Sequence, residues 1–167
     1  MAEHHIAYLS CGSNVGDRIA NLKSAIRDLR AGSIVVRRIS SVYETEPVGL
    51  REQPWFMNIA LEIETSLTPH EMLAGCQKIE AAHGRIRSFT GAPRPLDLDI
   101  LLFDNLIIDE PSLQIPHPRM AERRFVLEPL GQIGPEVRHP VLGKTICALL
   151  AACPDPSKVI LHSELGE

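Results

Sequence analysis

Short alternating or apolar runs and two stretches of helical period divide the first hundred residues of the chain. Ile6–Cys11 is an apolar run closed by Gly12-Ser13-Asn14, the pattern of a buried strand and a turn. Ile19, Leu22, Ile26 and Leu29 then recur at helical spacing, with Asp17 as N-cap and Gly32 as the stop. Ile34 to Glu44 predicts a second strand, and Glu46 to Gln53 a loop marked by Pro47, Gly49 and the adjoining Pro54. From Met57 to Thr65 the alternation is clear. Met57, Ile59, Leu61 and Ile63 fall on one face, and Asn58, Ala60, Glu62 and Glu64 on the other. Thr68-Pro69-His70-Glu71 is a capping box with proline at the first helical position, and Met72, Leu73, Cys76 and Ile79 form the apolar stripe behind it, up to Gly84. Leu96–Phe103 reads as a further strand.

The order β-α-β-β-α-β predicts an α+β fold, an α/β sandwich with a ferredoxin-like core: an antiparallel sheet with the helices on one face. After Asp104 come short helices expected at Ala121–Arg124, Phe125–Gln132 and near Lys144–Ala152, the additional C-terminal helices of the fold. No repeat or linker divides residues 1–167, so one domain is expected, its tail from about Pro154 partly loose.

At 167 residues, 44% apolar and 23% charged, the chain is long enough for a proper core and has no apolar run near the length of a membrane span. The start, Met1-Ala-Glu-His-His, has no basic and apolar leader pattern, and Cys11, Cys76, Cys147 and Cys153 lack metal-ligand spacing. The expectation is a cytoplasmic protein, without membrane or nucleic-acid partners, that works as a monomer on small molecules. A net charge of −4 sets aside nucleic-acid binding driven by overall charge. Against that acidic balance, Arg85, Arg87, Arg94, Arg119, Arg123 and Arg124 fall within forty residues that contain no lysine, a pattern that suits a local anion site.

Inside that segment Asp97 and Asp99 stand two apart on the predicted strand, so both carboxylates share a face, roughly 7 Å apart. Hard divalent ions use one or two carboxylates plus substrate phosphates, and Arg94 upstream offers a fork for phosphate. A lone D-x-D is equally an ordinary strand end with solvated acids. No phosphate-binding glycine loop and no nucleophile elbow is present, which leaves phosphoryl-type transfer run by positioning and electrostatics. Phe56 and Phe125, two of seven aromatics, could sandwich a flat heterocycle, although pattern alone favours two core phenylalanines. Asn58, on the face of Phe56, could read a heterocycle edge, and His117, held between two prolines, could donate to a phosphate.

Several stretches together resemble one family, the 6-hydroxymethyl-7,8-dihydropterin pyrophosphokinases of folate biosynthesis. They are Gly12-Ser-Asn14, Tyr43-Glu-Thr-Glu-Pro-Val-Gly49, Gln53-Pro-Trp-Phe-Met-Asn58, Glu80 with Gly84-Arg-Ile-Arg87, Arg94-Pro-Leu-Asp97-Leu-Asp99, Ile115-Pro-His-Pro-Arg-Met120 and Arg123-Arg-Phe125. The resemblance implies transfer of pyrophosphate from ATP, the co-substrate, to the pterin hydroxymethyl group, with release of AMP. It implies Asp97 and Asp99 as ligands of two Mg²⁺ ions, and Arg85 and Arg94 as phosphate stabilisers. Thr45, Val48, Gly49, Phe56, Asn58, Asp97 and Phe125 would bind the pterin; Gln77, Glu80, Arg87, Arg94, Ile100, Leu113, His117 and Arg123 would bind ATP. Gly91-Ala92 replaces a tryptophan known in some members, and Pro118 a tyrosine. A two-metal nucleotidyltransferase and a non-catalytic ferredoxin-like ligand-binding domain are the alternatives.

Overall fold

The first strand, β1 (His5–Ser13), runs through the middle of a six-stranded antiparallel sheet and is buried over most of its length. The computed structural model describes residues 3–48, 52–84 and 93–166. On one side β1 pairs with β4 (Phe56–Thr65), on the other with β5 (Asp97–Phe103), all antiparallel. Between β1 and β4 the chain forms α1 (Arg18–Ala31), capped by Asp17, then β2 (Ile34–Ile39) and β3 (Val42–Thr45). α2 (Pro69–Ala82) follows β4, and its capping box is formed in both directions between Thr68 and Glu71.

The single strand expected over Ile34–Glu44 is two, β2 and β3, which pair with successive parts of β4. The break falls at Ser40-Ser41. Ser40 keeps its backbone N–H on the Ala60 carbonyl, and its hydroxyl accepts the Ala60 N–H, so a side chain replaces a backbone acceptor at the kink.

A larger difference concerns the layers. Met57, Ile59, Leu61 and Ile63 pack with Leu22, Ile26, Met72 and Cys76 beneath α1 and α2, as the alternation predicts. The opposite face is covered too, rather than open to water. Tyr8, Ala60, Leu101 and Leu102 pack there against Val126, Leu127, Leu130 and Ile133 of α3 (Arg124–Ile133) and against Ile146 and Leu149 of α4 (Ile146–Ala151). The C-terminal helices carry apolar stripes of their own, and the sheet's second face is the surface that buries them. A bulge in β5 helps. The register with β1 steps so that Ile100 faces Leu9 while Leu102 faces Tyr8, which places both Leu101 and Leu102 in the second core.

Before α3 the chain makes a small hairpin, β6 (Ile108–Asp109) with β7 (Gln114–Ile115), and a 3₁₀ turn at Met120–Glu122 in place of the short helix expected at Ala121–Arg124. The tail is not loose. β8 (Val159–Ser163) adds to the sheet beside β3, and Leu165 is buried in the first core. Its partner strand lies over a hundred residues upstream, and a five-residue strand after two prolines carries no period that a local reading can detect.

Candidate active site

Two cross-strand rows on the α3 side of the sheet assemble the centre of the site. Gly12 of β1 stands opposite both Asp97 of β5 and Asn58 of β4, and Asn58 stands opposite Tyr43 of β3. Directly paired residues of antiparallel strands share a face, so Asp97, Gly12 and Asn58 lie in one line, with Ser10 beside Asp99 in the next. Two strand spacings, roughly 10 Å, separate the backbones of Asp97 and Asn58. Gly12 leaves that interval open. A Cβ there would fall 2.2 Å from Asn58 Oδ1 and 3.5 Å from the Phe56 ring.

The amide of Asn58 is fixed, since its Nδ2 donates to Thr45 Oγ1 at 2.6 Å with both residues buried. Phe56, opposite Thr45 at the start of β4, is half-buried, as is Phe125 in the first turn of α3. The Arg123 guanidinium lies 5.5 Å from the centre of the Phe125 ring. Val48 is exposed at the end of the segment after β3. Gly49, Arg85 and Arg87, with Gly91 and Ala92, lie outside the described residues.

Across β5 a second group of expected residues comes together. Asp99, Ile100, Leu113 and His117 line one cavity of about 240 Å³, whose walls include Leu73 of α2 and Pro111 of the β6–β7 hairpin. His117 donates its backbone N–H to the Leu101 carbonyl, and its Nδ1 accepts the Arg119 N–H, which leaves the ring proton on Nε2. Burial, reinforced by Arg123, lowers its pKa to about 4, so the ring is neutral across the physiological range. Burial lowers the pKa of Arg123 too, against the pull of Asp99. Arg94 Nη1 lies 3.2 Å from Asp97 Oδ2.

Of the residues expected on the ATP side, Gln77 is exposed on α2 while Glu80 is 6% exposed. Glu80 Oε2 accepts the Leu98 N–H at 2.8 Å, so this carboxylate grips the backbone between the two aspartates. Arg124 leaves the arginine group. It donates to the carbonyls of Asp155 and Cys153 in the tail and lies 3.8 Å from Glu128. Asn14, part of a turn signal in the sequence, is buried and bonded to Arg94, Gln53 and Pro54. Its partners lie 39 to 80 residues away, beyond any local pattern.

Of the site's side chains, Asp97 and Asp99 are the carboxylates that could hold a metal ion. Among the described residues no group of three or more His, Cys, Asp or Glu side chains could hold one. Two carboxylates on one strand face are the donor count that suits Mg²⁺ completed by phosphate oxygens and water.

A model of the 7,8-dihydro-6-hydroxymethylpterin-pyrophosphokinase (HPPK) family matches residues 8–135. The chain belongs to this family. A Bacillus subtilis protein named 2-amino-4-hydroxy-6-hydroxymethyldihydropteridine pyrophosphokinase is 47% identical over 135 residues, 80% of this chain and 81% of its own length. One of the same name from Methylorubrum extorquens is 43% identical over 155 residues, 92% and 96% of the two chains. Other relatives are larger. The mitochondrial folate synthesis bifunctional protein of Arabidopsis thaliana is 44% identical over 128 residues, 77% of this chain but 23% of that one. The fold matches the Plasmodium falciparum HPPK-DHPS crystal structure with pteroate at a TM-score of 0.72 and 17% identity, over 90% of this chain and 42% of that one.

Proposed function

We infer that the chain transfers the terminal pyrophosphoryl group of ATP to the hydroxymethyl oxygen of 6-hydroxymethyl-7,8-dihydropterin, a step of folate biosynthesis. The observation that carries this reading is the position of β5. Its carboxylates stand between the Asn58–Phe56 row on one side and the His117 cavity on the other. A pterin belongs on the first side. Its flat ring fits between Phe56 and Phe125, its edge reads Asn58 and Thr45, and Val48 and Gly49 close the set. ATP belongs on the second, with Ile100 and Leu113 as apolar walls and Gln77, Arg87, His117 and Arg123 as polar contacts.

The hydroxymethyl oxygen then bonds to the β-phosphorus, the bond from that phosphorus to the α-phosphate oxygen breaks, and AMP leaves. Asp97 and Asp99 would hold two Mg²⁺ ions, which when bound neutralise charge on the phosphates. Arg85 and Arg94 offset the charge that develops on the transferred group. The His117 Nε2–H, held as a donor by Arg119 and by burial, can meet a phosphate oxygen at any pH well above 4. Glu80 acts through the Leu98 backbone rather than as a surface contact. We take the working form to be a cytoplasmic monomer: its cysteines are free, as suits a reducing compartment, and both sheet faces are covered from within the chain.

Incubation with Mg²⁺, ATP and hydroxymethyldihydropterin tests the reaction. The expected products are AMP and the pterin diphosphate. Release of free pyrophosphate with a nucleotidylated pterin would mean attack at the α-phosphate and would overturn the reading.

A further inference from the structure

Ser10 lies in β1 on the α3 side of the sheet, directly opposite Asp99 of β5 and Ala60 of β4. It is 6% exposed. Its neighbours divide it between two environments. Tyr8, two residues back, and Ala60 belong to the second core, packed beneath α3. Gly12, two residues on, leaves the gap between Asp97 and Asn58. Among the described residues the Ser10 hydroxyl makes no hydrogen bond. No fully enclosed side-chain oxygen or nitrogen among them goes without a partner, so Ser10 Oγ reaches open space. The second core closes the side toward Tyr8 and Ala60. The opening therefore faces the floor of the site, beside Asp99.

A position flanked by Tyr8 and Ala60 suits an alanine, and a nearly buried hydroxyl without a partner is a net cost to the fold. We propose that Ser10 is a positioning residue for the cation at Asp99: its O–H donates to the Asp99 carboxylate, and its Oγ accepts from a water held by the ion. The proposal rests on the assignment of Asp97 and Asp99 to Mg²⁺ given above. Mg²⁺ gives up its waters reluctantly and keeps several of them beside carboxylates and phosphates. Waters polarised by a cation are strong donors and need acceptors. In this row of the sheet Ala60 offers no side-chain acceptor, and neither does Gly12 in the next. Ser10 Oγ does, and one hydroxyl has a donor and two acceptor sites, enough for the carboxylate and the water together. Contacts of this kind orient a ligating carboxylate and change metal affinity by roughly ten- to a hundredfold. The ring of the pterin belongs to the neighbouring row, where Gly12 and Asn58 lie.

The test is a titration with Mn²⁺, which stands in for Mg²⁺ and whose free form is read by electron paramagnetic resonance. The protein is held with a non-hydrolysable ATP analogue that has a methylene between the α- and β-phosphorus. Wild type, Ser10→Ala, Ser10→Thr and Asp99→Asn are compared, and each is also melted without metal. Ser10→Ala should melt no lower than the wild type, yet hold Mn²⁺ about tenfold more weakly. Ser10→Thr keeps the hydroxyl and should stay within about threefold of the wild type. An affinity for Mn²⁺ that Ser10→Ala leaves within about twofold, or an equal loss in Ser10→Ala and Ser10→Thr, would refute the role of Ser10. So would a loss confined to 6-hydroxymethylpterin binding, which would place the hydroxyl against the ring. If Asp99→Asn holds Mn²⁺ as well as the wild type does, the metal assignment fails and the proposal fails with it.

Discussion

Gly12 illustrates how much of the site is decided by a missing side chain. Its Cβ position is 2.2 Å from Asn58 Oδ1, a distance no packing adjustment absorbs unless the amide moves. Gly12→Ala should therefore cost roughly 1–3 kcal/mol of stability, and raise KM for the pterin while KM for ATP stays put. Adding Asn58→Ala removes the obstructing amide and should restore most of the lost stability, measured by thermal melts of the single and double variants. A glycine penalty that persists in the double variant would place the cause elsewhere. At the carboxylates the expectation is larger. Asp97→Asn and Asp99→Asn keep shape and remove charge, and each should lower kcat by at least roughly a hundredfold. Near-normal turnover in both would overturn the assignment of the pair to the reaction. Residue identities such as these were readable from the chain, because D-x-D spacing and strand alternation are local. The obstruction at Gly12 was not, since it depends on which residue of another strand stands opposite.

Helix α2 packs against strand β5. The start of α2 was legible to the residue, because a capping box is a complete local device within four positions. What the helix does with its end was not legible. Three-residue spacing puts Gln77 and Glu80 near each other, but the direction of the sheet decides which is buried, and it is Glu80. β5 is the outermost strand on its side, so every second N–H points away from β1 and must find a partner. Glu80 supplies one for Leu98, between the two aspartates. Glu80→Ala should cost about 1–3 kcal/mol for the buried N–H it abandons, and should lower kcat by roughly tenfold or more through the misplaced carboxylates. Urea unfolding and steady-state kinetics on the same preparation check both. An unchanged kcat alongside a loss of stability would show that the strand keeps its position without this contact. The split of the expected strand at Ser40-Ser41 has the same lesson. Both serines fit a strand pattern, and only the hydroxyl contact with Ala60 reveals the kink.

Over the whole molecule the sheet serves two cores, and the tail joins them. Leu165 is buried under α1, β8 extends the sheet beside β3, and Asp155 reaches the start of α3. That last contact matters to the site. Arg123, the residue in the N-cap position of α3, makes no side-chain cap, whereas Asp155 Oδ2 accepts the Arg124 N–H at 3.1 Å. A carboxylate from the tail thus caps the helix whose first turn carries Phe125. Burial raises the pKa of Asp155, but hydrogen bonds from Ser157 and Arg124 outweigh it, and the net shift is downward. The unfolded chain therefore holds the proton more tightly than the folded one. The stabilisation is complete above the ordinary carboxylate value, near 4, and is lost as pH falls through the lower folded value. Asp155→Ala should lower stability by roughly 1 kcal/mol at neutral pH. The gap between wild type and variant should close only in acid, below about pH 4. If the cap also holds Phe125 over the ring site, KM for the pterin should rise in the variant with KM for ATP unchanged. A stability gap that stays constant down to pH 2.5 would mean that the charge of Asp155, and hence the cap, is not what the tail contributes to α3.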